Sequence, residues 1–129
     1  MPLAVEIVTP AAVAWKGEAE EVQAPGLLGE FDALPDHAAM LAVTRAGLVT
    51  VHTTSGAKRM VVGTGFAEVG PDRITLLVDL CEPAESVDKA AAEAALSAAE
   101  ETLASADPSS TDWAKARKEA DLAAARLEA

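Results

Sequence analysis

The composition of the chain breaks at Glu82-Pro83, and the two sides of the break obey different rules. From Glu85 to Ala129 alanine supplies 16 of 45 residues, and all eight glycines of the protein lie before this segment. Alanine loses the least on entering a helix and glycine among the most, so the tail is composed for helix. Before the break, turn signals recur about every eight to twelve residues between short runs of β-branched and aliphatic residues, the pattern of a sandwich or barrel. The expected fold class is α+β with segregated parts. An antiparallel β-sandwich spans residues 1–84, and an antiparallel α-helical hairpin spans 85–129.

Within the first part, Leu3, Val5 and Ile7 alternate with Ala4, Glu6 and Val8, the period of a half-buried strand. Thr9-Pro10 ends it. Val13-Ala14-Trp15 leads through Gly17 to an acidic strand, Glu20 to Gln23, and Pro25-Gly26 reads as a turn. Leu48–Thr54 and Ala57–Val62 flank Ser55-Gly56, and Phe66–Val69 and Ile74–Val78 flank Gly70-Pro71-Asp72, which predicts two hairpins.

The stretch between Gly29 and Val51 is organised differently. Pro35 lacks a backbone donor and pushes Leu34 to an extended conformation, so its centre cannot be helix. The expectation is an exposed loop held by strands on both sides and presenting Glu30, Asp32, Asp36 and His37. Nothing there pairs a nucleophile with a base, so the chemistry on offer is contact with a partner.

In the tail, Ser86 is the expected N-cap of a first helix, with Asp88 in its first turn. Ala92, Leu96, Ala99 and Leu103 form one stripe. The stretch from Ser105 to Ser110 breaks the helix, and a serine or Thr111 caps a second, whose stripe is Trp113, Ala116, Ala120, Ala124 and Leu127. The large side chains of the seam, Leu96, Leu103, Trp113 and Leu127, contribute on the order of 10 kcal/mol gross if fully buried. Backbone ordering at about 1–2 kcal/mol per residue offsets this. The hairpin should therefore depend on docking against something else.

A net charge of −11 argues against nucleic acid, because no basic stripe exists to displace counterions, and against adhesion or insertion into anionic lipid. One cysteine, Cys81, cannot close an internal disulfide, which favours a reducing compartment. The N-terminus lacks the basic start and apolar core of a signal peptide. His37, His52 and Cys81 are too scattered to supply the three or four ligands of a zinc site, so no metal is expected. Gly63-Thr64-Gly65 lacks the lysine and helix of a phosphate loop. No cofactor is expected.

These residues carry a family resemblance. Gly29-Glu30 followed by Pro35-Asp36-His37-Ala38-Ala39-Met40-Leu41 resembles the Gly-Glu…Pro-Gly-His-Ala-Pro-Leu-Leu stretch of the epsilon subunit of F-type ATP synthases. Gly65-Phe66-Ala67-Glu68-Val69 and Arg73-Ile74-Thr75-Leu76-Leu77-Val78-Asp79 resemble two strands of the same family. Asp36 replaces a loop glycine, Ala39 a proline and Thr64 a glycine. The resemblance implies a rotor subunit without catalysis of its own, peripheral to the cytoplasmic face of a bacterial inner membrane. It would join the gamma subunit to the c-ring, and the hairpin would restrain ATP hydrolysis. Glu30, Asp32, His37 and Met40 would then contact gamma or the c-ring, and Lys115, Arg117, Lys118 and Arg126 the catalytic alpha and beta subunits.

Some members of that family bind ATP through Ile or Leu, Asp, two free positions, Arg and Ala. The corresponding residues are Val87, Asp88, Lys89, Ala90, Ala91 and Ala92. Ala91 removes the arginine, and Lys89 sits two positions earlier, about 200° around the helix. Weak or absent ATP binding is expected. Two other classes compete with this reading: a free-standing binding module whose hairpin recognises an unrelated partner, and an enzyme, for which the residues offer no support.

Overall fold

Alternation becomes strand wherever a backbone partner lies within reach. In the computed structural model, which describes residues 2–129, ten strands precede the tail. They are β1 (Leu3–Val8), β2 (Val13–Ala19), β3 (Glu21–Gly26), β4 (Gly29–Ala33), β5 (Met40–Thr44), β6 (Gly47–Thr53), β7 (Gly56–Val62), β8 (Gly65–Val69), β9 (Arg73–Val78) and β10 (Cys81–Pro83). Their order is β10-β7-β6-β3-β5-β8-β9-β1-β2, with β4 hydrogen-bonded to β3. Every pairing is antiparallel except that of β1 with β9. The sheet curls until β2 packs on β6, so that both layers enclose one core. That core takes Leu3, Val5 and Ile7 from β1, Val49 and Val51 from β6, and Ile74, Leu76 and Val78 from β9.

Three local readings of the sequence change. Pro25-Gly26 is not the turn: both residues are buried inside β3, and the chain reverses at Leu27-Leu28, where Gly26 faces Gly29. Tertiary pairing decides this, because Arg45 donates to the Pro25 carbonyl at 2.9 Å and Leu27 to that of Val43 at 2.8 Å. Glu30 and Asp32 therefore stand on a strand, β4, rather than in a loop. Residues 40–44 are also strand, paired with β8 from Met40↔Val69 to Thr44↔Gly65. Leu41 and Val43 point outward, so this strand has no polar face to reveal its period.

The tail forms a 3-10 turn (Ala84–Ser86), α1 (Lys89–Ser105) and α2 (Thr111–Glu128). Asp88, not Ser86, caps α1: its Oδ1 accepts from the Ala91 amide at 3.1 Å, while the Ser86 hydroxyl donates to the Pro83 carbonyl. Ser110 caps α2, accepting from the Trp113 amide at 3.2 Å. Between the helices, the Asp107 carboxylate accepts from the Ser109 amide and hydroxyl, which holds its pKa below the ordinary carboxylate value.

Ala99 packs with Ala116 and Ala120, flanked by half-buried Leu96 and Leu103, as the stripes imply. Ala124 departs from the stripe and is exposed, whereas Ala123 and Ala125 are buried. The reason is a second apolar face on α2. Ala125 and half-buried Leu122 meet Ala46, Val61 and Leu48 of the β-domain. None of Leu96, Leu103, Trp113 and Leu127 is fully buried. The buried alanines of the hairpin supply only about 0.8 kcal/mol per methyl, so the hairpin leans on the sheet as well as on itself.

Asp36 has a φ of 68°, the left-handed region that favours glycine, and this conformation lets its amide donate to the Pro71 carbonyl at 2.7 Å. Aspartate tolerates this backbone better than most residues. Asp36→Ala should lower stability by about 1 kcal/mol, and Asp36→Gly should leave it within about 0.5 kcal/mol, both measured by denaturant unfolding. Equal stability of the alanine and glycine variants would contradict the backbone assignment.

Candidate functional site

The outer face of the sheet carries an apolar row that crosses five strands in register. Val43 on β5 faces Phe66 on β8, Phe66 faces Leu77 on β9, Leu77 faces Val8 on β1, and Val8 faces Val13 on β2. Directly opposed residues share a sheet face, so these side chains form one band. Val13 and Phe66 are 51% exposed and Val43 and Leu77 47%. Two residues along β8, β9 and β1, and three along β2, where the register shifts, the same face turns polar, through Glu68, Thr75, Glu6 and Lys16, with Leu41 on β5 extending the apolar band. Arg73 and Glu68 pair there at 3.3 Å. An apolar band with a charged margin is the anatomy of a protein-binding surface.

At one end of the sheet, the β3–β4 turn lifts Leu27 and Leu28 into solvent. They line a groove of about 440 Å³ together with Phe31, Met40 and Leu41. Met40 is thus shared between this groove and the core, against which it packs. Glu30 and Asp32 flank Phe31 on β4; both are exposed, and Phe31 turns inward. The strand brings the two acids onto one face, two residues apart.

His37 lies in the connection between β4 and β5. Its amide donates to the Leu34 carbonyl at 3.1 Å, and its Nδ1 donates to the Ala38 carbonyl at 2.7 Å. The ring is half-buried and oriented by its own loop rather than free in solvent. The loop itself is tied to the β8–β9 turn through Asp36 and Pro71.

The tail cations are placed apart from these residues. Arg117 pairs with Asp121 one helical turn along at 3.3 Å. Lys118 reaches Asp79 at 3.0 Å, and Arg126 clasps Glu82 through Nε at 2.6 Å and Nη2 at 3.3 Å. Lys115 is exposed and, among the described residues, takes no ion pair. Arg117 pairs within α2, whereas Lys118 and Arg126 lie on the stripe of the helix that meets the β-domain.

The remaining candidates for chemistry are structural. His52 Nε2 donates to Gln23 Oε1 at 3.2 Å across β6 and β3. Burial first, then the charge of Glu82, pushes the Cys81 thiol above its ordinary pKa, which makes it a poor nucleophile at neutral pH. Among the described residues, no three His, Cys, Asp or Glu side chains converge. Among the described residues, no helix is long and apolar enough to cross a membrane.

Sequence reasoning missed the apolar row. Its trace is there in Ile74-Thr75-Leu76-Leu77-Val78, where apolar residues occupy both parities of one strand, a sign that both faces want cover.

Comparison with known proteins agrees with this anatomy. The family described as the beta-sandwich domain of the ATP synthase delta/epsilon chain matches residues 2–84. The ATP synthase epsilon chain of Synechococcus sp. (strain WH7803) is 34% identical over 131 residues, covering 100% of this chain and 96% of that one. That of Moorella thermoacetica is 38% identical over 128 residues, covering 98% and 95%. In fold, the chain is similar to one in the Euglena gracilis mitochondrial ATP synthase (OSCP/F1/c-ring), with a TM-score of 0.87 at 17% identity, over 98% of this chain and 79% of that one. A chain in the central stalk/c-ring of the Tetrahymena thermophila mitochondrial enzyme gives a TM-score of 0.65 at 15% identity, over 98% and 97%. With a matched β-domain and relatives aligned along essentially its whole length, the chain belongs to the ATP synthase epsilon-chain family.

Proposed function

We propose that this protein is a non-catalytic rotor subunit of the central stalk of a proton-translocating bacterial ATP synthase, joining gamma to the c-ring. The observation that carries the reading is the apolar row Val43, Phe66, Leu77, Val8 and Val13, a band left half-exposed by the described residues. In this reading residues 1–84 are the docking unit. Gamma covers the row, with His37 and Met40 beside it, and the acids of β4, Glu30 and Asp32, meet polar loops of the c-ring. The assembled subunit lies peripherally on the cytoplasmic face of the inner membrane. It passes torque between gamma and the ring and keeps proton flow coupled to ATP chemistry.

Residues 85–129 form the regulatory unit. The hairpin restrains ATP hydrolysis when α2 leaves the sheet and lays Lys115, Arg117, Lys118 and Arg126 against acidic surfaces of the catalytic alpha and beta subunits. At 1.5 Å per residue, α2 is about 27 Å long, enough to reach along a central shaft.

Three outcomes are expected. Phe66→Ser should weaken capture of the matching gamma subunit by on the order of tenfold in a pull-down titration, since a buried aromatic anchor contributes about 1–2 kcal/mol or more. The half-exposed position should leave the unfolding midpoint nearly unchanged. Undiminished capture would mean that gamma docks elsewhere.

Deleting residues 85–129 should preserve assembly and coupling while raising ATP hydrolysis by the complex. Unchanged hydrolysis with the truncated subunit still bound would rule out a brake.

Calorimetric titration of the isolated chain with ATP should give no binding at micromolar concentrations. Asp88 is occupied as the α1 cap, and Ala91 offers phosphate no donor. Saturable micromolar binding would require another basic site.

A further inference from the structure

We propose that α2 is fastened to the β-domain by a two-point ionic clasp, Lys118–Asp79 and Arg126–Glu82, so that release of the hairpin is governed by ionic strength. The inference rests on the reading of the hairpin as a movable unit and supplies its latch. Lys118, Leu122 and Arg126 follow at intervals of four residues, one stripe of the helix, so the two cations bracket the apolar contact made by Leu122. The apolar contact alone is thin. A groove of about 420 Å³ opens beside Lys118, between Ala46 and Leu80 on one side and Ala114 and Leu122 on the other. The helix does not seal against the sheet there, and the charges bridge the gap.

Both acids are held ready by the β-domain. Glu82 is fixed in β10 by pairing with Val61, and it receives Arg126 through two nitrogens, the geometry of the stronger class of ion pair. Asp79 is placed by the β7–β8 connection. Its amide donates to the Thr64 carbonyl at 3.0 Å, and the Thr64 hydroxyl donates to Oδ2 at 3.4 Å. Its other oxygen lies where a side chain on Gly63 would be, since a Cβ there would fall 1.7 Å from Oδ1. Glycine at 63 is thus the space that the carboxylate uses.

Other charges do not alter the sign. The Arg117–Asp121 pair lies within α2 and moves with it. Lys89, which donates to the Leu127 carbonyl at 2.8 Å, belongs to α1 and travels with the hairpin. Arg59 on β7 donates to the Glu128 carbonyl at 3.3 Å and adds a third polar contact across the same joint.

Salt discriminates the clasp from its rivals. The chain carries a net charge of −11, so general repulsion would be relieved by salt and the hairpin would close more firmly. Apolar docking would be unmoved or strengthened. Only specific attraction weakens, as the screening length falls from about 10 Å at 0.1 M to about 3 Å at 1 M.

The test uses the full chain with Cys81→Ser and spin labels at Thr54→Cys, in the β6–β7 turn, and Glu119→Cys, on the exposed side of α2. Dipolar spectroscopy then reads the distance distribution at about 0.1 M and about 1 M sodium chloride. The long-distance population should grow several-fold with salt. At low salt, Arg126→Gln should raise it on the order of tenfold. Gly63→Ala, which keeps every charge but displaces the Asp79 carboxylate, should raise it by a smaller factor. Exchanging the charges, with Arg126→Glu and Glu82→Arg together, should restore the short distance. A distribution unmoved by salt, or one that shortens, overturns the clasp, as do substituted chains indistinguishable from the parent. Because this readout needs no other subunit, its failure is separate from a failure of the brake, which the deletion measures on the complex.

Discussion

Strands β8 and β9 each set one large apolar residue on the outer face as well as an apolar inner face, and most of the molecule follows from that constraint. Their inner residues, Ala67, Val69, Ile74, Leu76 and Val78, close the core with β1 and β6. Their outer residues, Phe66 and Leu77, are left half in water. Apolar residues on a solvated sheet face gain free energy when something covers them. The chain has a helical hairpin available for such cover, yet spends it on β6 and β7, on the opposite part of the curled sheet. The outer row is thereby left uncovered among the described residues.

The hairpin's own composition explains where it went. A helix whose apolar positions are mainly alanine has little to bury, but it can approach closely on more than one side. α2 uses this to lie between α1 and the sheet, with Ala116 and Ala120 on one contact and Ala125 on the other. Larger residues at those positions would bury more area but hold the helix further out, beyond the reach of Lys118 and Arg126 to their acids. Close approach and weak burial are the same choice. It suits an element whose docking contributes only a small difference between two states.

How much of this could be read from the residues depended on whether the deciding force was local. Period-2 alternation fixed β1, and glycine, proline and serine placed the turns at Ser55 and Pro71 correctly, because local backbone preference and tertiary pairing agree there. At Pro25-Gly26 they disagree: hydrogen bonds from Leu27 and Arg45, on residues distant or adjacent, carry the strand through a sequence that reads as a turn. β5 escaped notice since Met40-Leu41-Ala42-Val43 has no polar parity. Of the candidate contacts, Glu30 and Asp32 were rightly expected to be exposed, but their strand was invisible without β3. The partners of Lys118 and Arg126 lie 39 and 44 residues away in sequence and could not be inferred from spacing.

Those distant partners change what the tail cations can do. Cations drawn as free in solvent would gain the full attraction of any acidic surface they met. Here Lys118 and Arg126 already hold Asp79 and Glu82, so an acidic partner gains only the difference between two sets of ion pairs. A ligand shifts a two-state equilibrium only by its differential affinity for the states, however strong its contact with one of them. The surplus must then come from groups that are idle in the docked form. Lys115 is one, exposed and outside the ion pairs of the described residues. The apolar face released from the sheet, Leu122 and Ala125, is another. The undocked helix would therefore bind chiefly by apolar contact, with its charges setting register, while the same charges in the docked form set how readily it leaves.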